Sequence, residues 1–127
     1  MKSYRELNAW QKSYALALAV YQASRVFPSA EVFGLTSQLR RASVSIPANI
    51  AEGYCRHSRG DYLRFLSIAQ GSAGELDTLL SLAHDLSYLD DATLGQLAGL
   101  LTEVSKLLAG LTRSLRSPKP YTLDPKP

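Results

Sequence analysis

The stretch from Asp90 to Arg116, DDATLGQLAGLLTEVSKLLAGLTRSLR, decides the fold. Within it Leu94, Leu97, Leu101, Val104, Leu108, Leu111 and Leu115 recur at alternating steps of three and four, the heptad spacing of a helix seam. Asp90 or Asp91 supplies the N-cap. A leucine row of this length is buried only if other helices cover it, so the rest of the chain must provide them.

Upstream, Tyr62, Phe65, Leu66, Ala69, Ala73, Leu76, Leu80, Ala83 and Leu86 trace a helical stripe that opens near Arg59. Ser58, followed three residues later by Asp61, reads as its capping pair. Before that, Leu35, Leu39, Ala42, Ile46 and Ile50 predict a helix capped by Ser29 and ending near Gly53. Pro47 lies inside it and predicts a kink rather than a break, because its ring removes one backbone donor and crowds the Ser43 carbonyl. The first helix is expected from Ser3 to Phe27 with Leu7, Trp10, Tyr14, Ala17 and Tyr21 facing the core. A second apolar line, Leu16, Val20, Ala23 and Phe27, lies on another side and points to a further covered surface. Four long helices with short connections predict an all-α, up-down antiparallel four-helix bundle over residues 1–116. Four of the last ten residues are proline, so residues 117–127 read as an extended or disordered, flexible tail.

The chain has 127 residues, of which 46% are hydrophobic and 20% charged, the mix of one globular domain. Cys55 is the only cysteine, which excludes an intrachain disulfide and fits a reducing, cytoplasmic setting. The N-terminus lacks the apolar core of a signal peptide, and the longest apolar run, Tyr14 to Tyr21, is far short of the ~20 residues of a spanning helix. The net charge of +3 is unevenly spread, basic over residues 1–64, acidic over 65–110 and basic again beyond. Such asymmetry points to an anionic partner or to complementary surfaces in an oligomer.

Neither His57 nor His84 has a second histidine, cysteine or serine at a spacing that builds a catalytic or metal site, so no enzyme activity and no cofactor are expected. Arg40, Arg56, Arg59 and Arg64, with Arg41, surround the end of the second helix and the start of the third. They form a candidate phosphate-binding patch for RNA or DNA, although Arg40 and Arg41 point to different sides of their helix. The bland alternative makes them solvated charges or partners of Glu52 and Asp61. Arg41, Ser45, Ala48 and Glu52 share one line and are candidates for an inter-helix or inter-subunit ion pair. Asn49 is placed to repair the backbone near Pro47 or to tie the second helix to a neighbour. Gly71 and Gly74 on the third helix, and Gly95 and Gly99 on the fourth, each cost about 1 kcal/mol relative to alanine. They point to close approach of another helix.

The string Gln38-Leu39-Arg40-Arg41-Ala42 through Ser45-Ile46-Pro47-Ala48-Asn49-Ile50-Ala51-Glu52-Gly53, with Ile68-Ala69, Gly71-Ser72 and Glu75-Leu76 after it, resembles the four-helix-bundle family encoded in intervening sequences of bacterial 23S ribosomal RNA genes. The resemblance spans roughly residues 4–115, and Asp61-Tyr62 departs from the family's more usual Glu-Phe. It implies a homopentameric ring without catalytic residues. The similar accessory protein of diversity-generating retroelements binds a reverse transcriptase and nucleic acid, so the resemblance implies such partners, or another protein, here. It also implies packing and subunit-contact roles for Arg41, Ser45, Pro47, Asn49, Glu52, Gly53, Gly71, Ser72 and Glu75.

Overall fold

The computed structural model describes residues 3–117, and the proline-rich tail expected beyond them lies outside the described residues. Four helices, α1 (Asn8–Ser24), α2 (Leu35–Tyr54), α3 (Arg59–Asp85) and α4 (Asp91–Leu115), account for most of these, with short 3-10 turns at Tyr4–Glu6 and Ser29–Glu31 and no strand. Each helix packs on its sequence neighbours and α1 closes the ring against α4, which is the up-down order. The α2–α3 contact is the most extensive.

Helix starts follow local hydrogen-bond chemistry. Ser58 Oγ accepts from the Asp61 backbone N–H at 3.1 Å, and Asp90 Oδ1 accepts from that of Thr93 at 2.7 Å, which settles Asp90 as the cap of α4. The same backbone donor holds the Asp90 carboxyl below its ordinary range. Two expected starts are corrected. The first helix does not run from Ser3: Leu7 adopts extended backbone and is 2% exposed, so burial of its side chain separates the 3-10 turn from α1. Ser29 does not cap α2 either. The chain makes a 3-10 turn first, and Glu31 reaches forward to do the capping, its Oε1 accepting from Leu35 N–H at 3.1 Å. Its Oε2 accepts from the Tyr88 hydroxyl at 2.9 Å, tying the α1–α2 and α3–α4 connections together.

The core contains Leu97, Leu101, Val104, Leu108, Leu111 and Leu115 of α4, as the heptad spacing predicts, with Leu94 partly buried. On α3, Phe65 is only partly buried and Leu86 is exposed, while Leu79 and Ser72 are buried instead. Of the first line expected to face the core, Leu7 and Ala17 are buried and Trp10 is partly buried, whereas Tyr14 and Tyr21 are half exposed; of the second line, Leu16 and Val20 on α1 and Phe27 just after it are core. Ser13 and Ser24 share the core side, their hydroxyls donating to the Trp10 and Tyr21 carbonyls. α2 runs unbroken through the buried Pro47.

The buried Thr36 hydroxyl has no hydrogen-bond partner among the described residues. An unmade hydrogen bond there costs about 1–3 kcal/mol, and valine has the same shape without the hydroxyl. Thr36→Val is expected to raise stability by about 1 kcal/mol, several degrees in a thermal melt. A lowered melting temperature would show that the hydroxyl is satisfied by solvent.

Candidate nucleic-acid interface

The antiparallel order sets the two ends of the bundle apart in charge. The end of α2, the start of α3 and the end of α4 meet at one end with the chain's N-terminal turn. That end carries Arg5, Arg56, Arg59, Arg64, Arg113 and Arg116 against Glu6, Glu52 and Asp61, and is basic on balance. The other end carries Glu31, Asp85, Asp90 and Asp91 against Arg25, and is acidic on balance.

Arg56 and Arg64 come together over one ring, their guanidinium carbons 4.9 and 4.5 Å from the centroid of Phe65. Each also pairs with an acid one turn away: Arg56 with Glu52 at 3.5 Å and Arg64 with Asp61 at 3.8 Å. All four side chains are about half exposed, so these pairs contribute at most about 1 kcal/mol and can exchange for phosphate. Arg59 is the first residue of α3 and is partly exposed beside them.

Arg40 does not join this group. It lies sixteen residues before Arg56 and thus roughly 24 Å away along α2. Its Nε donates to Ser24 Oγ at 2.8 Å and its guanidinium covers the Tyr21 ring at 4.7 Å, bracing α1 against α2.

The residues read as packing and contact positions divide into two sets. Ser45, Asn49, Gly53 and Ser72 build the α2–α3 contact. The Ser45 and Ser72 hydroxyls share a hydrogen bond of 2.7 Å, and Asn49 Nδ2 donates to Ser45 O at 2.8 Å and to Ser45 Oγ at 3.0 Å. The amide therefore serves Ser45 and not the Ser43 carbonyl that Pro47 leaves without its donor. Arg41 and Glu75 are instead exposed on the outer groove between α2 and α3, bordered by Gln38 and Ser45. Glu52 pairs with Arg56 and not with Arg41, which makes no ion pair among the described residues. Gly71 is open on its helix face.

The 23S rRNA-intervening sequence protein family matches residues 5–110. The chain belongs to this family. It is similar in structure to a protein of unknown function from the S23 ribosomal protein family of Bacteroides thetaiotaomicron VPI-5482, at 27% identity and a TM-score of 0.74, over 83% of this chain and 98% of that one. No curated protein matches it.

Some features of the chain were not legible in its sequence. Arg113 and Arg116 border a groove between α3 and α4 with Leu63, Ser67, Gln70, Ala109 and Thr112. Arg5 covers Trp10 at 5.1 Å, and Trp10 stacks on Tyr14 at 4.9 Å. Among the described residues no group of three or more His, Cys, Asp or Glu could hold a metal ion, and no helix is long and apolar enough to cross a membrane. His57 and Cys55 are exposed in the α2–α3 connection.

At the acidic end, His84 Nε2 meets Asp91 Oδ1 at 2.6 Å and Nδ1 meets Asp85 Oδ1 at 3.1 Å, closing the α3–α4 turn. Asp91 first, then Asp85, raise the imidazole above its ordinary value of 6.5. A raised folded-state value makes the contribution to stability complete below pH 6.5 and progressively lost as pH rises through the raised value. Stability is thus expected to decline slightly across that window. His84→Gln, measured by urea unfolding at several pH values, is expected to remove the decline.

Proposed function

We propose that this protein is a non-enzymatic, cytoplasmic, homo-oligomeric scaffold that contacts the phosphate backbone of RNA or DNA through its basic end. The observation that carries the reading is the gathering of Arg5, Arg56, Arg59, Arg64, Arg113 and Arg116 at one end of the bundle, with the acidic turn at the other. Guanidinium groups bind phosphate oxygens bidentately, and each neutralised phosphate adds affinity without sequence preference. The family resemblance supports a ring of five subunits. The half-exposed Tyr14, Leu18 and Tyr21 on α1 supply apolar surface for such contacts. A ring repeats the basic end, so avidity exceeds what one copy provides.

Fluorescence anisotropy with labelled RNA at two salt concentrations tests the reading. Affinity is expected to fall steeply with salt, and Arg56→Gln with Arg59→Gln to flatten the log–log slope by about 0.7–0.9 per lost phosphate contact while leaving oligomer size unchanged. Light scattering should show a closed oligomer; a monomer at tens of micromolar, on the order of ordinary working concentrations, would refute the assembly. The pairing of Arg56 and Arg64 with Glu52 and Asp61 favours a second reading, a protein-interaction module, with a reverse transcriptase or another protein as partner, that never touches nucleic acid. Absence of RNA binding at low salt leaves that reading standing.

A further inference from the structure

Resting on the nucleic-acid reading, we infer that the α3–α4 groove at the basic end holds one unpaired nucleotide of a single strand, with its phosphate bridged by Arg113 and Arg116. Arg113 lies on the last turn of α4 and Arg116 is its C-cap residue three positions on, so the two share a side of the helix end. They border one groove, and neither pairs with a carboxylate among the described residues. Arg56, Arg64 and Lys12 differ in this respect, since each has an acid within 4.0 Å that phosphate must displace. The two guanidiniums, unpaired among the described residues, also outweigh the partial negative charge at the C-terminus of α4, which alone disfavours an anion by about 0.3–1 kcal/mol.

The groove between them fits more than a phosphate. Leu63 and Ala109 give it an apolar wall, Ser67 and Gln70 give it hydrogen-bonding groups, and it is a solvent-open groove of about 450 Å³. The Gln70 side-chain amide already donates to Ser105 O at 3.5 Å, which leaves its carbonyl oxygen as an acceptor for a base edge. Such a site combines an apolar face for the base with cations for its phosphate. A paired base cannot enter it, because a duplex presents only base edges and an A-form duplex hides most of these in a deep groove. Single strands are therefore the substrate class, whereas a purely electrostatic patch binds duplexes equally well or better.

The test uses the full chain with a labelled oligouridine, alone and annealed to its complement, followed by anisotropy. The single strand is expected to bind at least about threefold more tightly than the duplex, because the base buries apolar surface against Leu63 and Ala109 with no aromatic ring to stack on. Arg113→Gln with Arg116→Gln should weaken single-strand binding by about tenfold or more. Ala109→Leu changes no charge and lies on an exposed helix position, so it should fill the groove and abolish the single-strand preference with the melting temperature maintained. Equal binding of single strand and duplex, or an Ala109→Leu variant that keeps the preference, overturns the inference and leaves the nucleic-acid reading intact. Loss of binding only in the Arg56 and Arg59 variants does the same. No binding of either probe by the unaltered protein overturns both.

Discussion

Gly53→Val is expected to destabilise the bundle by about 3 kcal/mol or more, lowering the melting temperature by on the order of 10 °C. Gly53 is buried where α2 crosses α3, and a Cβ there would stand 2.9 Å from Phe65 Cβ, 3.1 Å from Tyr62 Cδ1 and 3.2 Å from the Tyr62 carbonyl oxygen. Phe65 Cβ and the Tyr62 oxygen are fixed to the backbone of α3, so the helices must separate rather than a side chain turn aside. Glycine in a helix costs about 1 kcal/mol relative to alanine, which opposes the clash. Overpacking costs about 1–3 kcal/mol and wins already for alanine, and valine's branched methyls enlarge the penalty. Gly53→Ala should thus lower stability modestly and Gly53→Val severely, both read by urea unfolding. A Gly53→Ala variant more stable than the parent would show that α2 and α3 separate freely. Because Phe65 carries both Arg56 and Arg64, a shift of α3 at this point would also disturb the basic end.

How far the fold was legible depended on whether burial followed residue type. α4 was read correctly because its seam is all leucine and valine. α1 was legible only in part, at Leu7 and Ala17, for the opposite reason. Ser13 and Ser24 count as polar in a sequence, yet their hydroxyls bond back to their own helix and let them face the core. Tyr14 and Tyr21 count as apolar, yet stand half exposed, with Trp10 stacked on the first and Arg40 on the second. The candidate site divides in the same way. Arg56, Arg59 and Arg64 fall within one short connection and its helix start, so spacing alone groups them. Arg113 and Arg116 join that end only through the antiparallel order of the helices. Arg40 was grouped with them by sequence proximity, but its partners are on α1, sixteen to nineteen residues away. The Ser45–Ser72 bond spans twenty-seven residues, and no local pattern reports it.

A variant carrying Gly71→Ala, Gly74→Ala, Gly95→Ala and Gly99→Ala is expected to stabilise the fold of each chain and to weaken its assembly. Within the chain, a Cβ at any of the four meets nothing within 4 Å, so no contact opposes the change. Each alanine recovers about 0.5–1 kcal/mol of helix propensity, and the total, if additive, is about 2–4 kcal/mol toward higher urea. Glycine at four such positions therefore gains nothing for an isolated bundle. Close approach of a second copy's helix would give the missing reason, since only glycine lets two backbones meet without an intervening methyl. That contact is lost when four methyl groups are added to it. Light scattering through a dilution series should then show the variant dissociating at a higher concentration than the parent, while its unfolding midpoint rises. An unchanged dissociation profile would place all four glycines on free surface and assign the assembly to α1 and the outer α2–α3 groove.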